Sequence, residues 1–295
     1  MWSLVEIIMR DLIFMSTTFN RKYYPDYIMR TIPHMLWQIK PLRLPLARTE
    51  EIMSMLKEQM KAGKYESSQS SYRARFFTVE KKDKSLRIVH DLQPLNAVSI
   101  RDSATLPRID EMLDFFAGAA IYGIFDLKSS FDSCILAPVS QDMMMFRANR
   151  MGSLRQMTLP EGYTNSPVEF QRRMTHIIEP MIPKKVDVFI NDCTLKGLKT
   201  RLRDGLIPGN SQIRKFVWDY AEKLQELLAR IRESSATVLG TKMVLVTPHL
   251  AMLGAIVSIE GMHVSHEITA KLKNWPSCGD PSEVQGFLGT VGVVR

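Results

Sequence analysis

The sequence predicts an α+β fold in which helices cover one face of an antiparallel sheet. Segments typical of strands and of helices are interleaved along the chain without βαβ regularity. No glycine-rich loop follows a predicted strand, which argues against Rossmann and P-loop folds. Hydrophobic residues make up 45% and charged residues 24% of the 295 residues, which suits a globular chain with a sizeable core.

The first third of the chain is predicted to hold an extension, a helix and a hairpin. Residues 1–45 are rich in methionine and aromatic residues and are interpreted as an extension or linker. Thr49 is placed to cap a helix that ends at Gly63. Residues 76–80 and 86–89 are typical of two strands around a lysine-rich turn.

The remaining elements are predicted from hydrophobic periodicity. They are a helix from Pro107, a buried strand over 119–125 that ends in Asp126, a helix over 170–181, a strand over 186–190, a tight turn at Asn191 and Asp192, a strand over 193–195, a loop over 201–214, an amphipathic helix over 216–231 and a single strand over 250–259.

Two of these features are candidates for chemistry. Asp126 ends a buried strand, and Asn191 and Asp192 form the tip of a hairpin. If the strands are neighbours, these side chains meet at one edge of the sheet. Clustered carboxylates favour a bound cation, and two divalent ions about 4 Å apart are the usual solution in polymerases and nucleases. The alternative remains open here, because Asp126 could cap a turn and Asn-Asp is a favoured turn pair.

The charge balance favours a polyanionic partner such as nucleic acid. Lys and Arg total 39 against 31 Asp and Glu, which gives a net charge of +8. Residues 71–101 carry seven cations and three anions, on the predicted hairpin. A solvated edge hairpin with lysines at its turn is the alternative explanation for this cluster.

The compartment is predicted to be intracellular, in the cytoplasm, the nucleus or both. Cys134, Cys193 and Cys278 show neither zinc-ligand spacing nor a disulfide framework, which indicates a reducing environment. Acidic residues near the N terminus argue against a signal peptide. No uncharged apolar run approaches the roughly 18 residues that span a bilayer, so no membrane partner is expected.

Several motifs occur in the order and at the spacing of one family. They are RIVHDLQPLN (87–96), LPRIDEML (106–113), FDLKSSF (125–131), LPEGYTNSP (159–167) with Phe170 and Gln171, FIND (189–192), Leu253-Gly254, Trp275-Pro276 and FLG (287–289). On these motifs, the chain from about Leu46 to Arg295 resembles the reverse transcriptase domain of gypsy-type LTR retrotransposon polyproteins.

The resemblance implies a right-hand polymerase with fingers, a palm built on an antiparallel sheet, and an incomplete thumb. It implies fingers at 46–101 and 134–165, a palm at 102–133 and 166–262, and the truncated start of a thumb-like region at 263–295. The reaction implied is attack of a primer 3′-hydroxyl on the α-phosphate of a deoxynucleotide, templated by RNA or DNA. The partners implied are therefore a template-primer and dNTPs, with two Mg²⁺ or Mn²⁺ ions.

The resemblance also implies roles for individual positions. The metal ligands would be Asp126, the carbonyl of Leu127, and Asp192. Lys81 and Arg87 would hold the triphosphate, with Lys82 an open alternative to Lys81, because phosphate suits a point charge and a planar fork. Phe131, Glu161 and Gly162 would lie against the nucleotide, although core packing is the commoner role of such a Phe. Lys242 would donate a proton to the leaving pyrophosphate, and Leu253-Gly254 would grip the primer end.

The chain departs from the family at three positions within these motifs. Asn191 stands where the family has an aspartate that binds both metals, so the catalytic motif is degraded and activity is expected to be strongly impaired or lost. Glu161 replaces a neutral residue, and Ser130 replaces Gly or Ala. Two other functions are weighed: a non-catalytic nucleic-acid-binding relic, and a nuclease, which the motif order disfavours.

Overall fold

The computed structural model describes residues 19–21, 24–81, 83–127, 130–148, 151–200 and 205–292. The helices are α1 (Thr49–Lys61), α2 (Gln93–Val98), α3 (Ile109–Phe116), α4 (Pro138–Asp142), α5 (Ser166–Ile178), α6 (Lys215–Glu233), α7 (His266–Lys273) and α8 (Pro281–Gly292), with short 3-10 segments at Leu46–Arg48, Ser130–Ser133 and Glu179–Met181. Residues 1–18 of the predicted extension, and Lys82, lie outside the described residues.

The strands, in chain order, are β1 (Tyr65–Ser67), β2 (Phe76–Glu80), β3 (Leu86–His90), β4 (Tyr122–Asp126), β5 (Met145–Arg147), β6 (Ser153–Gln156), β7 (Val186–Phe189), β8 (Asp192–Lys196), β9 (Leu206–Ile207), β10 (Asn210–Arg214), β11 (Val244–Thr247), β12 (His249–Met252), β13 (Ala255–Ser258) and β14 (Gly261–Val264). In the part of the chain that the structure describes, they form five antiparallel sheets, of orders β11-β4-β8-β7, β1-β6-β5, β12-β13-β14, β2-β3 and β9-β10. The predicted α+β class is confirmed.

The four-stranded sheet β11-β4-β8-β7 carries buried side chains on both faces. Successive side chains of a strand point to opposite faces, and on β4 both Tyr122 and Phe125 are fully buried. Phe125 belongs to a cluster with Phe170 of α5 and Leu227 of α6. Tyr122 belongs to another cluster with Phe116 of α3 and with β12 and β13. The prediction of helices on one face alone is therefore wrong, because α3 also packs against Tyr122 on the second face.

A close approach of α6 fixes its position on this sheet. The Tyr220 hydroxyl donates to the Leu245 carbonyl on β11 at 2.5 Å. A Cβ atom placed on Gly123 of β4 would lie 2.3 Å from that hydroxyl and 2.8 Å from the same carbonyl. Only glycine leaves room at position 123 for this contact between helix and sheet.

The described residues before α1 are attached to the rest of the fold at several points and do not form a loose linker. Tyr27 pairs with Leu136 and Thr31 with Ser99 in isolated β-bridges. Further along, the Ile39 amide donates to the Arg73 carbonyl at 2.8 Å. The described part of the predicted extension therefore packs against three segments, which lie before β2, after α2 and before α4.

Three local predictions are corrected by the structure. Thr49 is the first residue of α1 and not its cap, since its hydroxyl donates back to the Pro45 carbonyl at 3.0 Å. The region predicted as a loop contains the hairpin β9–β10, which reverses at Gly209 with a φ of 84°. The predicted strand over 250–259 is the hairpin β12–β13, because Leu253 and Gly254 both adopt positive φ and reverse the chain.

Two further features complete the fold. The β2–β3 hairpin and the β1-β6-β5 sheet share a smaller core with α1, in which Ile52 and Leu56 lie near Phe76 and Phe146. None of the described helices combines the length and apolar character needed to cross a membrane.

Candidate active site

Asp126 and Asp192 are direct partners in the antiparallel pairing of β4 with β8. The register is fixed by the preceding pair, Phe125 and Cys193, whose side chains are both fully buried. A shift of one residue would turn these apolar side chains to the opposite face of the sheet. The two carboxylates that the sequence predicts to converge therefore lie side by side.

The hairpin tip between β7 and β8 consists of Ile190 and Asn191. Phe189 pairs with Asp192, so Asp192 is the first residue of the returning strand and not a turn residue as predicted. Ile190 has a φ of 54°, which is strained for a β-branched residue. Such a conformation persists only where surrounding contacts impose it.

Two sets of hydrogen bonds impose the conformation of this tip. The Gln171 side chain on α5 donates to the Val188 carbonyl at 2.8 Å and accepts from the Ile190 amide at 2.7 Å. The Leu127 amide donates to the Asn191 carbonyl at 3.0 Å, which ties the tip to the end of β4. Leu127 itself is buried and bridges to Val238.

Lys242 contributes the positive charge nearest to Asp126 that the structure describes. Its Nζ lies 3.0 Å from Asp126 Oδ2, with the Lys242 side chain 67% exposed and that of Asp126 20%. The Leu239 amide donates to the Asp126 carbonyl at 2.7 Å, which holds the segment before β11 against β4. The structure therefore brings the predicted proton donor to the candidate carboxylates.

The electrostatics of Asp192 show that the two carboxylates interact. Burial raises the pKa of Asp192 above its ordinary value, the Asp126 charge raises it further, and Lys242 partly opposes both. A cation beside this pair would relieve the repulsion, and carboxylate oxygens are preferred ligands of Mg²⁺. These residues fit a divalent cation.

An open cavity of about 380 Å³ borders the pair. It is lined by Ile124, Asp126, Asp192, Lys242, Val244, Thr247, His249, Leu250 and Ala251. Within the described ranges, no group of three or more His, Cys, Asp or Glu side chains is arranged to hold a metal ion. The acidic side chains that line the cavity are thus Asp126 and Asp192.

A second group joins the β2–β3 hairpin to the turn that follows β6. The Arg87 guanidinium on β3 forms an ion pair with the Glu161 carboxylate, with side chains 47% and 63% exposed. Gly162 adopts a φ of 91°, and its carbonyl accepts from the Asn96 side chain at 3.0 Å. Lys81 lies at the exposed hairpin turn, where its amide donates to the Ser85 carbonyl at 2.8 Å. The structure thus brings together three of the predicted nucleotide-binding residues.

Phe131 packs against the core below the sheet. Its ring meets that of Phe170 at a centroid distance of 5.7 Å and an interplanar angle of 78°. The side chain is partly buried. Phe131 therefore packs in the core, as the alternative interpretation expected, and its contact with a nucleotide stays a prediction.

Sequence reasoning missed the role of Gln171 and the cavity-lining residues Thr247 and His249. Gln171 is only 7% exposed although it is polar. The sequence signal that could have indicated a buried role is the position of Gln171 directly after the apolar Phe170 of α5. No sequence pattern predicts the positions of Thr247 and His249. Thr247 reaches the cavity through the pairing of β11 with β4, and His249 reaches it at the start of β12, which directly follows β11.

The fold has close counterparts among solved structures. A foamy viral protease–reverse transcriptase in complex with RNA/DNA hybrid matches with a TM-score of 0.77 and 18% identity, covering 98% of this chain and 37% of that one. A second structure of a foamy viral protease–reverse transcriptase, in complex with double-stranded DNA, matches with a TM-score of 0.80 and 18% identity, covering 98% of this chain and 48% of that one. The fold is that of the reverse transcriptases, which is the right-hand polymerase architecture predicted.

Sequence comparison gives the family. The family described as Reverse transcriptase (RNA-dependent DNA polymerase) matches residues 79–257, and the chain belongs to it. The Retrovirus-related Pol polyprotein from transposon 297 of Drosophila melanogaster is 24% identical over 258 residues, which is 85% of this chain and 23% of the polyprotein. That from transposon 412 is 31% identical over 164 residues, which is 54% of this chain and 13% of the polyprotein. The Tf2-3 polyprotein of Schizosaccharomyces pombe is 21% identical over 257 residues, which is 87% of this chain and 18% of the polyprotein.

The predicted resemblance to retrotransposon reverse transcriptases is thus confirmed. The chain spans less than a quarter of the length of each of these relatives.

Proposed function

We propose that this chain is an RNA-directed DNA polymerase domain whose catalytic centre is disabled by Asn191, a pseudoenzyme as its sequence stands. The observation that carries the proposal is the register pairing of Asp126 with Asp192 directly beside the hairpin tip that holds Asn191. Mg²⁺ or Mn²⁺ would be held by Asp126, Asp192 and the carbonyl of Leu127. In such sites the bound ion activates the attacking hydroxyl and stabilises charge on the phosphate. Lys242 is suited to donate a proton to the leaving pyrophosphate, since its ammonium lies 3.0 Å from the Asp126 carboxylate.

Asn191 accounts for the expected loss of activity. Asparagine keeps the shape of aspartate and one carbonyl oxygen, but it removes a full negative charge. A pair of unit charges at about 4 Å is worth about 4 kcal/mol at an effective dielectric of 20, and a divalent ion doubles it. Since about 1.4 kcal/mol corresponds to a factor of ten in rate, several orders of magnitude of activity should be lost.

Primer extension tests the proposal directly. The assay measures addition of dTTP to oligo-dT on poly-rA with Mg²⁺ or Mn²⁺, for the unaltered chain, Asn191→Asp, and Asn191→Asp combined with Asp126→Asn. We expect background synthesis from the first, a gain of at least about 10³-fold from the second, and a return to background in the third. Robust synthesis by the unaltered chain would refute the disabled centre.

The nucleotide would enter between the two groups of residues. Lys81 and Arg87 carry the charges suited to a triphosphate, with Lys82 as the alternative to Lys81. Phe131, Glu161 and Gly162 would lie against its sugar and base. In this assignment the fingers comprise 46–101 and 134–165, the palm comprises 102–133 and 166–262, and residues from 263 onward begin a thumb-like region.

A second candidate is a nucleic-acid-binding relic without catalysis. The excess of cations over anions between residues 71 and 101 favours it. Contacts of Lys and Arg with phosphates release counterions, so the affinity for a template-primer duplex should fall steeply with salt. A filter-binding titration against salt concentration tests this, and a flat response would count against it.

The setting proposed for either function is the cytoplasm, the nucleus or both. Cys134, Cys193 and Cys278 are free thiols, and the first two are buried. Free thiols persist in reducing compartments. This supports an intracellular protein whose partners are an RNA or DNA template-primer and dNTPs.

A further inference from the structure

We propose that Glu161 is an intramolecular competitor of the nucleotide triphosphate, because it occupies the Arg87 guanidinium that the triphosphate would bind. The inference rests on the proposed function, since it takes Arg87 as a phosphate ligand. It adds a determinant of nucleotide affinity that belongs to this chain. The observation that carries it is the ion pair between Arg87 and Glu161.

The chemistry of the guanidinium makes the competition direct. Arginine presents a planar fork of N–H donors that matches a carboxylate and a phosphate in the same way. A phosphate group can therefore take the place of the Glu161 carboxylate with little change in the arginine. While the ion pair persists, the positive charge on β3 is neutralised, and the carboxylate repels an incoming anion.

Hydrogen bonds fix the backbone on both sides of Glu161, and this fixed turn places the Glu161 side chain beside Arg87. The Asn96 side chain on α2 donates to the Gly162 carbonyl and accepts from the Thr164 amide, both at 3.0 Å. The Ser166 hydroxyl donates to the Pro160 carbonyl at 2.7 Å on the other side of the turn. A clamped turn leaves side-chain rotation as the way for Glu161 to leave Arg87.

The exposure of the pair makes the contact reversible. The Glu161 side chain is 63% exposed and that of Arg87 is 47% exposed. Ion pairs in water contribute little to stability because solvent screens them. Glu161 therefore weakens nucleotide binding without closing the site permanently, and its removal should leave the fold intact.

A binding experiment without primer or template tests the inference. The probes are dTTP with Mg²⁺ and inorganic tripolyphosphate, and the dissociation constant is measured by equilibrium dialysis or calorimetry. Glu161→Gln should bind both probes roughly tenfold more tightly than the unaltered chain, because it removes a competitor and a repulsive charge. The gain should disappear when Arg87→Gln is added to Glu161→Gln.

Glu66→Gln is the matched control. Glu66 accepts from the Arg155 Nε at 2.8 Å and is 43% exposed, so this variant changes the net charge equally and breaks a comparable ion pair elsewhere. It should bind both probes as the unaltered chain does. Three outcomes would each overturn the inference. They are a change in the dissociation constant of less than twofold in Glu161→Gln, an equal gain in affinity in Glu66→Gln, and a gain in affinity that persists when Arg87→Gln is added.

The outcome is separable from that of the proposed function. If Asn191→Asp fails to extend primers but Glu161→Gln tightens binding through Arg87, the competitor stands and the polymerase proposal falls. If Asn191→Asp extends primers and the binding constants do not move, the polymerase proposal stands and the competitor falls.

Discussion

The ammonium of Lys242 lies 3.0 Å from the Asp126 carboxylate, which is itself the register partner of Asp192. The site therefore combines two acidic side chains with a cation supplied by the chain. Because Asn191 is neutral, the positive charge of Lys242 offsets half of the negative charge that Asp126 and Asp192 carry together. The first prediction follows from that balance.

Lys242→Met should strengthen binding of Mn²⁺ by several-fold, because it removes a positive charge that competes for Asp126. The free Mn²⁺ concentration, measured by electron paramagnetic resonance, gives the dissociation constant without any need for catalysis. Lys61→Met on α1 is the control, since it changes the net charge equally at an exposed site. Unchanged or weaker Mn²⁺ binding in Lys242→Met would contradict the cation site.

Gln171→Ala should loosen the hairpin tip. The substitution leaves the Val188 carbonyl and the Ile190 amide without their partner, at a cost of roughly 1–3 kcal/mol. Hydrogen exchange measured by NMR should speed up at the amides of Ile190 and Asp192. Gln141→Ala removes a buried amide that donates to the Leu136 carbonyl at 2.6 Å, so it should destabilise the protein without affecting the tip. Equal exchange at the tip in both variants would show that Gln171 does not hold it.

Gly123→Ala should destabilise the chain by roughly 1–3 kcal/mol or more, because the added Cβ meets the Tyr220 hydroxyl and the Leu245 carbonyl. Gly197→Ala is the control, since its Cβ would meet its neighbours at 3.4 Å or more. Chemical denaturation gives both free energies of unfolding. Adding Tyr220→Phe to Gly123→Ala should recover part of the loss, and equal effects of the two glycine substitutions would exclude the proposed clash.

Acid should weaken the fold through His90. Burial lowers the pKa of His90 from 6.5 to about 3, with Lys64 adding to the shift. Its Nδ1 has no hydrogen-bond partner among the described residues, and its Nε2 lies 2.9 Å from the Tyr65 hydroxyl. The unfolded chain gains a proton below pH 6.5 while the folded chain stays neutral, so stability falls as the pH drops from about 6.5 to about 3.

The expected loss is about 1 kcal/mol between about pH 7 and about pH 5.5, from one proton bound only by the unfolded chain. Denaturant titrations at the two pH values measure it. His90→Phe should flatten the dependence, whereas the exposed His263→Gln should keep it. A dependence that survives His90→Phe unchanged would assign the acid sensitivity to other groups.

The sequence predicts the convergence of Asp126 and Asp192 because each stands at the end of an apolar run. It does not predict their register, since that depends on which face of β4 the core covers. The turn was predicted at Asn191 and Asp192 but lies one residue earlier, at Ile190 and Asn191. Strand pairing, and not the turn preference of these residues, decides where β8 begins. Gln171 could not be assigned a role, because its two partners are backbone groups on another element.

The errors in the last third have a similar physical origin. Residues 250–259 are apolar except for Ser258, so composition does not distinguish a single strand from a hairpin. The turn depends on the positive φ of Leu253 and Gly254. The pair of Arg87 and Glu161 joins segments more than seventy positions apart. Such a contact follows from tertiary structure alone.

The Gln171 side chain and the Leu127 amide hydrogen-bond to backbone groups of the hairpin tip, and these bonds do not involve the side chain of residue 191. Asparagine and aspartate codons differ at one base, so a single transition in the gene would replace Asn191 with aspartate in the same turn. If Asn191 disables the centre as proposed, one nucleotide change would restore the carboxylate without altering these hydrogen bonds.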